Sequence, residues 1–260
     1  MTSPRERSLV FGEVAEAYDE VRLGYPVEIA ELITAYAGRV PERVAEAGAG
    51  TGKGSATLRT LGVPMTCIEP DPAMAAVLAR RFTGDELVSV VVSRFEEWAP
   101  PAGGVGLVAS ATAWHWVDRE RRTRLAYDAL APGGVLAVFA HQHGFADDEV
   151  AEALNAVYLR HAPAIAERPG SHVHPPAAFH SEELRGSPLF GDVAQELLVT
   201  VVPFPTARYL ALLSTFSPHR LLPEEQRATL HAALAAVIDE RGGVLEQMVT
   251  TELWLARRDS

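Results

Sequence analysis

One cysteine, Cys67, and one lysine, Lys53, occur in the 260 residues. The lone thiol excludes an intrachain disulfide and leaves no cysteine set from which to build a metal site. Positive charge is also short. Lys and Arg total 23 against 34 Asp and Glu, a formal net charge of −11, which argues against a broad electrostatic footprint on DNA or RNA. No apolar run approaches the length of a membrane span, and the opening stretch MTSPRERSLVFGEVAEAYDE lacks the apolar segment of a secretory signal. A soluble, cytoplasmic protein with no nucleic-acid or membrane partner is expected, as a monomer or homodimer. Internal repeats and low-complexity tracts are absent as well. With 48% apolar residues the chain can close a sizeable core, and a single domain over 1–260 is favoured.

What is present first is alternation. Residues 26–37 have the apolar spacing of an amphipathic helix, RVAEAG reads as a short buried strand, and GSATLRTLG as a helix stopped by Gly62. MTCIEP is a second strand, PAMAAVLARRF a second helix, and LVSVVVS a third strand with strong β-branched character. VGLVAS, a helix over about 118–130, the turn APGG and the strand VLAVFA follow. Five strands in this order imply an α/β fold with a mostly parallel sheet and helices on both faces. The second half differs. A helical pattern over 147–166 leads to the polar connector ERPGSHVHPPAAFHSEEL, expected to be a loop or lid, then a strand over 193–204, helices over 206–214 and 223–241, and a last strand over 245–258.

The stretch VAEAGAGTGKGS, residues 44–55, excludes two phosphate sites. A Walker loop needs Gly, four intervening residues and then Gly-Lys-Ser/Thr, but here Ala47 holds the first position and Gly54 the hydroxyl position. A dinucleotide loop wants a third small residue in Gly-x-Gly-x-x-Gly/Ala, and the two frames end in Lys53 or Ser55. What remains is Glu46-x-Gly48-x-Gly50-x-Gly52 at a strand-to-helix turn, bare main chain on which a ligand can lie. About twenty residues later Glu69 ends the next strand, where open α/β sheets put a carboxylate against ribose hydroxyls.

These motifs resemble those of the class I S-adenosylmethionine-dependent methyltransferases, in the small-molecule branch, over about residues 11–140. The resemblance implies a Rossmann-like seven-stranded fold with a helical cap or insert in the C-terminal half, and S-adenosyl-L-methionine as cofactor, leaving S-adenosylhomocysteine. It carries Glu46, Gly48, Ala49, Gly50 and Gly52 to the methionine part of the cofactor, Glu69 to its ribose, and Pro70 and Met74 to the adenine side. VVVSRFEEW places Arg94 and Phe95 at the adenine, and LVASATAWHWVD places Ser110 and Ala111 under the sulfur. Where relatives open strand four with an acidic residue, this chain has Gly106. FGEVAEAYDEVRLGYP resembles the segment that precedes the first strand in relatives, bringing Tyr18 and Arg22 to the cofactor carboxylate and Tyr18 to the active-site mouth, with Tyr25 nearby. An Arg fork suits a carboxylate because it can make paired, charge-assisted hydrogen bonds.

Methyl transfer from a sulfonium needs alignment above all, and a base is optional. His115 in AWHW, at the carboxyl edge of the sheet, is the first candidate base, with His141 and His143 after strand five as second choices. Trp114 and Trp116 either wall the pocket or fill the core. His141, His143, His172 and His174 form two His-x-His pairs, but irregular loops impose no coordination geometry and no metal is expected. The Asn/Asp-Pro-Pro-aromatic segment of base methylation is absent, and Glu96 and Glu97 come too early for a guanidinium-gripping pair. A small organic acceptor on O, N or C, plausibly of secondary metabolism, is therefore expected, its pocket shaped by residues 141–190 and 203–243, with Arg208, His219 and Arg220 as candidate contacts for an acidic substrate. Two alternatives stay open: a cyclase or lyase using the same sulfonium, and a non-catalytic cofactor-binding subunit.

Overall fold

A computed structural model describes residues 15–166 and 183–259, so His172, His174 and most of the His- and Pro-rich connector lie outside the described residues. The order along the chain is α1 (Ala15–Val21), α2 (Glu28–Ala37), β1 (Val44–Ala47), α3 (Lys53–Leu58), β2 (Met65–Glu69), α4 (Pro72–Arg81), β3 (Val88–Val92), β4 (Val105–Ala111), α5 (Arg122–Ala129), β5 (Leu130–Phe145), α6 (Asp148–His161), β6 (Phe190–Pro205), α7 (Thr206–Leu213), α8 (Ser217–Arg220), α9 (Glu224–Asp239) and β7 (Val244–Arg258). Seven strands form one sheet in the order β3-β2-β1-β4-β5-β7-β6. The first five are parallel, while β7 runs antiparallel to both β5 and β6. The α/β reading, with helices on both faces, holds.

Strand alternation sends each sheet face into its own core. Ala45, Ala47, Val108, Leu136, Val138 and Trp254 pack with Ala126 and Ala129 of α5 on one face. On the other, Val44, Leu107, Ala109, Val135, Ala137 and Phe139 meet Ile29 and Ile33 of α2, Leu58 of α3 and Leu78 of α4. A third cluster joins α6, α7 and α9 through Leu154, Tyr209, Leu212, Leu230, Leu234 and Ile238. It builds the cap beside the carboxyl end of the sheet.

Local chemistry sets the ends that matter to the site. Asp71 caps α4, its Oδ1 accepting from the N–H groups of Ala73 at 2.8 Å and Met74 at 3.2 Å, with Pro72 in the first turn, as cap preferences dictate. Two boundaries differ from the sequence reading. β5 extends from Leu130 to Phe145, because APGG is absorbed as an irregularity where the pairing steps from Val105↔Leu130 to Leu107↔Val135. Helix α5 starts at Arg122, not near residue 118. Gly106 also finds a reason: a Cβ there would stand 3.1 Å from the Glu42 nitrogen and 3.3 Å from Pro41 Cα. The main chain at 41–42 fills the space an acidic side chain would take.

Candidate functional site

The sheet order reverses between β1 and β4, and in open α/β sheets ligands collect in the crevice beyond the strand ends at such a point. A cavity of about 370 Å³ lies there, lined by the loop after β1, the end of β2, the turns after β3 and β4, the front segment around α1, and residues 216–218 of the cap. Gly48 and Gly50 adopt left-handed φ of 69° and 58°. A Cβ on Gly48 would strike Ala113 Cβ at 2.5 Å, so the glycine loop and the turn after β4 touch backbone to side chain. Glu69 rises at the rim of this floor. Its Oε2 accepts from the Gly50 N–H at 2.8 Å and its Oε1 from the Asp71 N–H at 2.9 Å. Burial pushes its carboxyl up to about 7, against the pull of those two N–H groups.

Across the cavity the front segment is tied down at three points. Arg22 donates through Nε to Thr215 Oγ1 at 2.9 Å and through Nη2 to the Thr215 carbonyl at 3.4 Å, and its guanidinium lies over the rings of Phe216 at 4.1 Å and Tyr18 at 5.0 Å. No carboxylate forms an ion pair with it among the described residues. Burial lowers its basicity. Tyr25 shares a 2.5 Å hydrogen bond with Thr112 Oγ1 and stacks on His141 at 4.2 Å. His141 Nε2 lies 3.0 Å from the Gly24 carbonyl, which can only accept, so Nε2 carries the proton and Nδ1 accepts from the Thr251 hydroxyl at 2.9 Å. Thr112 is strained: its φ is 53°, a region a β-branched residue rarely enters.

The comparisons with known proteins meet this geometry at the glycine loop. Residues 45–138, β1 through β5, match the model of a methyltransferase domain. Over that stretch the chain is similar to a methyltransferase domain. An uncharacterized methyltransferase of Mycobacterium tuberculosis is 35% identical over 136 residues, 52% of this chain and 54% of that protein, so the match spans about half the length of the curated relatives. Among solved structures, a candidate type II methyltransferase from Anaeromyxobacter dehalogenans superposes with a TM-score of 0.67 at 20% identity, covering 91% of this chain and 97% of the other. The phosphoethanolamine N-methyltransferase 2 of Haemonchus contortus, solved in complex with S-adenosyl-L-methionine, gives 0.57 at 16% identity over 100% of this chain and 61% of its own.

The sequence-derived residues divide into those that reach the cavity and those that support it. Tyr18, Arg22, Gly48, Ala49, Gly50, Glu69, Pro70, Met74, Arg94, Phe95, Ala111, His115 and His141 line it. Glu46, Gly52 and Ser110 do not line it. Glu46 is 0% exposed and accepts from Ser55 Oγ at 2.5 Å; its Oε1 has no partner among the described residues, and burial with the nearby Glu69 charge pushes its carboxyl up to about 8. Gly52 faces away, where a Cβ would strike Leu78 Cδ1 at 2.6 Å. Ser110 donates to the Ala47 carbonyl at 2.9 Å and ties β4 to β1.

The histidines separate as sharply. His141 holds the front segment through Nε2 and the last strand through Nδ1, and burial lowers it to about 4, a placement that suits positioning. His115 opens onto the cavity beside Trp116 at 4.6 Å, with its basicity lowered by burial and by Arg122. Trp116 walls the cavity while Trp114 is core, 1% exposed; Phe95 is both, lining the cavity and packing near Trp98 and Trp114. His143 lines the cavity and bonds Gln247 Oε1 at 3.1 Å through Nδ1. His219 is buried between Tyr158 at 3.1 Å and His231 at 3.2 Å, and Arg208 lies over Phe204; neither lines the cavity, nor does Arg220. No cluster of three metal-ligating side chains exists among the described residues. The sequence reading passed over Thr112, Lys53 and Glu96 as ligand contacts. Lys53 pairs with Asp19 at 3.7 Å at the cavity wall.

Proposed function

We propose that this chain is a cytoplasmic enzyme that binds S-adenosyl-L-methionine in this cavity and transfers its methyl group to a small organic molecule. One observation carries the reading: a carboxylate fixed by two backbone N–H groups, Glu69, stands beside a glycine loop whose main chain lines the cavity, while a half-buried guanidinium with no ion-pair carboxylate among the described residues, Arg22, also lines it. Such a pair suits a ligand with ribose hydroxyls at one end and an amino-acid carboxylate at the other, because buried charge without a counter-charge is costly. Ala49, Met74, Phe95 and Val117 offer the apolar walls for a purine between them. When bound, the cofactor supplies a methyl group made electrophilic by a sulfonium.

The chain's own residues then orient the acceptor and exclude water. Tyr25, Thr112, His115, Trp116, His143 and Phe216 border the remaining space. The carboxylates that line the cavity are Glu69 and Glu96, and Glu96 Oε1 accepts from the Asp118 N–H at 2.9 Å. The acceptor side therefore holds rings, hydroxyls and imidazoles, which favour a neutral or anionic acceptor over an ammonium. His115 is the group placed to take up a proton from such an acceptor, since its lowered basicity keeps it neutral at physiological pH. A cavity of about 370 Å³ lined by rings and hydroxyls supports a small-molecule acceptor, and a secondary-metabolic role is part of the same proposal.

Mass spectrometry after incubation with methyl-labelled S-adenosylmethionine and cell extract tests the reading. An acceptor heavier by one methyl and release of S-adenosylhomocysteine are expected. Methylthioadenosine as the product would point to a cyclase, and binding without turnover of any acceptor to a non-catalytic subunit; either result overturns methyl transfer.

A further inference from the structure

The exposed edge of the sheet carries a second function. Among the described residues β6 is the terminal strand, paired on one side only, with β7. At its middle Leu197, Val199 and Val201 are 54%, 62% and 50% exposed. Alternation puts all three on one face. Long apolar edges recruit other strands unless they are blunted by proline, charge or bulges. Here a register shift between Gly191 and Ala194 lies toward one end and Pro203 and Pro205 at the other, and Glu196 is the charge beside the apolar run.

The prolines also fix which residues present their main chain outward. Proline has no N–H, and in a sheet it is confined to positions whose nitrogen faces away from the partner strand. Pro203 and Pro205 lie in unbroken register with β7, so the odd-numbered positions face outward, and these include Leu197, Val199 and Val201. The same three residues thus offer free N–H and C=O groups at the edge and apolar side chains on one face.

We propose that β6 is a homodimer interface, in which two copies pair antiparallel about a two-fold axis at Val199. Self-complementarity selects this occupant and this register. With Val199 opposite itself, each Leu197 meets the other copy's Val201, and all three apolar residues pair with apolar residues. Moving the axis to position 198 sets Val201 against Gln195, and moving it to position 200 sets Leu197 against Pro203. The charges agree: Glu196, the ionisable side chain of the 194–205 stretch, falls opposite Val202, so the two Glu196 carboxylates lie about 20 Å apart at ~3.3 Å per residue. That exceeds the Debye length of about 8 Å at physiological salt. Centred on position 197 instead, the two would be near neighbours. The pairing closes on itself, as a two-fold contact must, and consumes the edge rather than extending it.

Sedimentation velocity combined with cysteine cross-linking on the full chain tests the interface. The wild type should sediment as a dimer whose association strengthens with salt, since screening relieves repulsion between two copies of charge −11. Val199→Lys should weaken dimerisation roughly tenfold or more, with unchanged melting temperature and S-adenosylhomocysteine binding. Val199→Cys gives a second readout, because opposed residues in such a pair have Cα atoms about 5.5 Å apart, within disulfide reach, and Cys67 is buried. It should cross-link two chains on oxidation, whereas Leu197→Cys should not. A monomer at every concentration, a dimer indifferent to Val199→Lys, or cross-linking at position 197 but not 199 would each overturn the proposal.

Discussion

Glu46 and Glu69 show how one residue type is put to two uses by its surroundings. Both sit at strand ends beside the glycine loop, both are raised above the ordinary 4.5 of a glutamate, to about 8 and about 7, yet only Glu69 reaches the cavity. A carboxyl whose folded-state pKa is raised contributes stability that is fully present below about pH 4.5 and is lost as pH rises through its folded value. Relative to Glu46→Gln, the ligand-free wild type should therefore lose melting temperature as pH rises from 5 to 8 in differential scanning fluorimetry; a difference between the two that does not change with pH would contradict the burial of an ionisable Glu46. Thr112 makes a separate prediction. Its positive φ costs about 1–3 kcal/mol, and glycine relieves it at an entropic cost of roughly 0.5–1 kcal/mol, while both Thr112→Gly and Thr112→Ala lose the bond to Tyr25. Chemical denaturation should rank Thr112→Gly about 1 kcal/mol above Thr112→Ala. Glu69 was legible in the sequence because its distance from the glycine loop is set by one β-α-β step. Thr112 was not, since nothing in its side chain announces a left-handed backbone, and the turn of Ser110 toward the Ala47 carbonyl follows from strand alternation that the motif alone does not show.

The elements around the site were mostly readable from apolar period and punctuation. Asp71-Pro72 opened α4, Gly38 at φ 73° ended α2, and the β-branched run gave β3. What failed was the turn APGG, whose glycines usually break a strand but here fit an irregular step inside β5. The glycine loop looked uniform in sequence and is not uniform in space. Gly50 has open room, with Met74 Cε at 3.7 Å, whereas Gly52 at φ 90° abuts Leu78, Arg81 and Phe82 of the α4 region. Gly52→Ala should accordingly cost more stability than Gly50→Ala, by about 1–3 kcal/mol from overpacking, while Gly50→Ala should weaken S-adenosylhomocysteine binding with the smaller loss of melting temperature. Thermal melts and calorimetric titrations of the two variants separate these effects, and equal losses in both would refute the division of labour along the loop.

At the scale of the molecule, the cavity is assembled from segments far apart in sequence: the front segment, the ends of β1, β2 and β4, and the cap at 216–218. Sequence periodicity could place each strand end on the same edge, which is why the cofactor half was legible. It could not bring Thr215 to Arg22, 193 residues apart, or His141 to Gly24, 117 apart, because those contacts depend on how the cap docks on the sheet. The account as a whole depends on Glu69 and the bare glycine loop holding a sulfonium nucleoside. Calorimetric titration of S-adenosylhomocysteine into the wild type and Glu69→Ala tests this most directly. The account predicts binding to the wild type and a loss of about 1.5–3 kcal/mol in the variant, the range for a hydrogen bond to a charged group; equal affinity in both, or no heat while adenine dinucleotides bind, would contradict it.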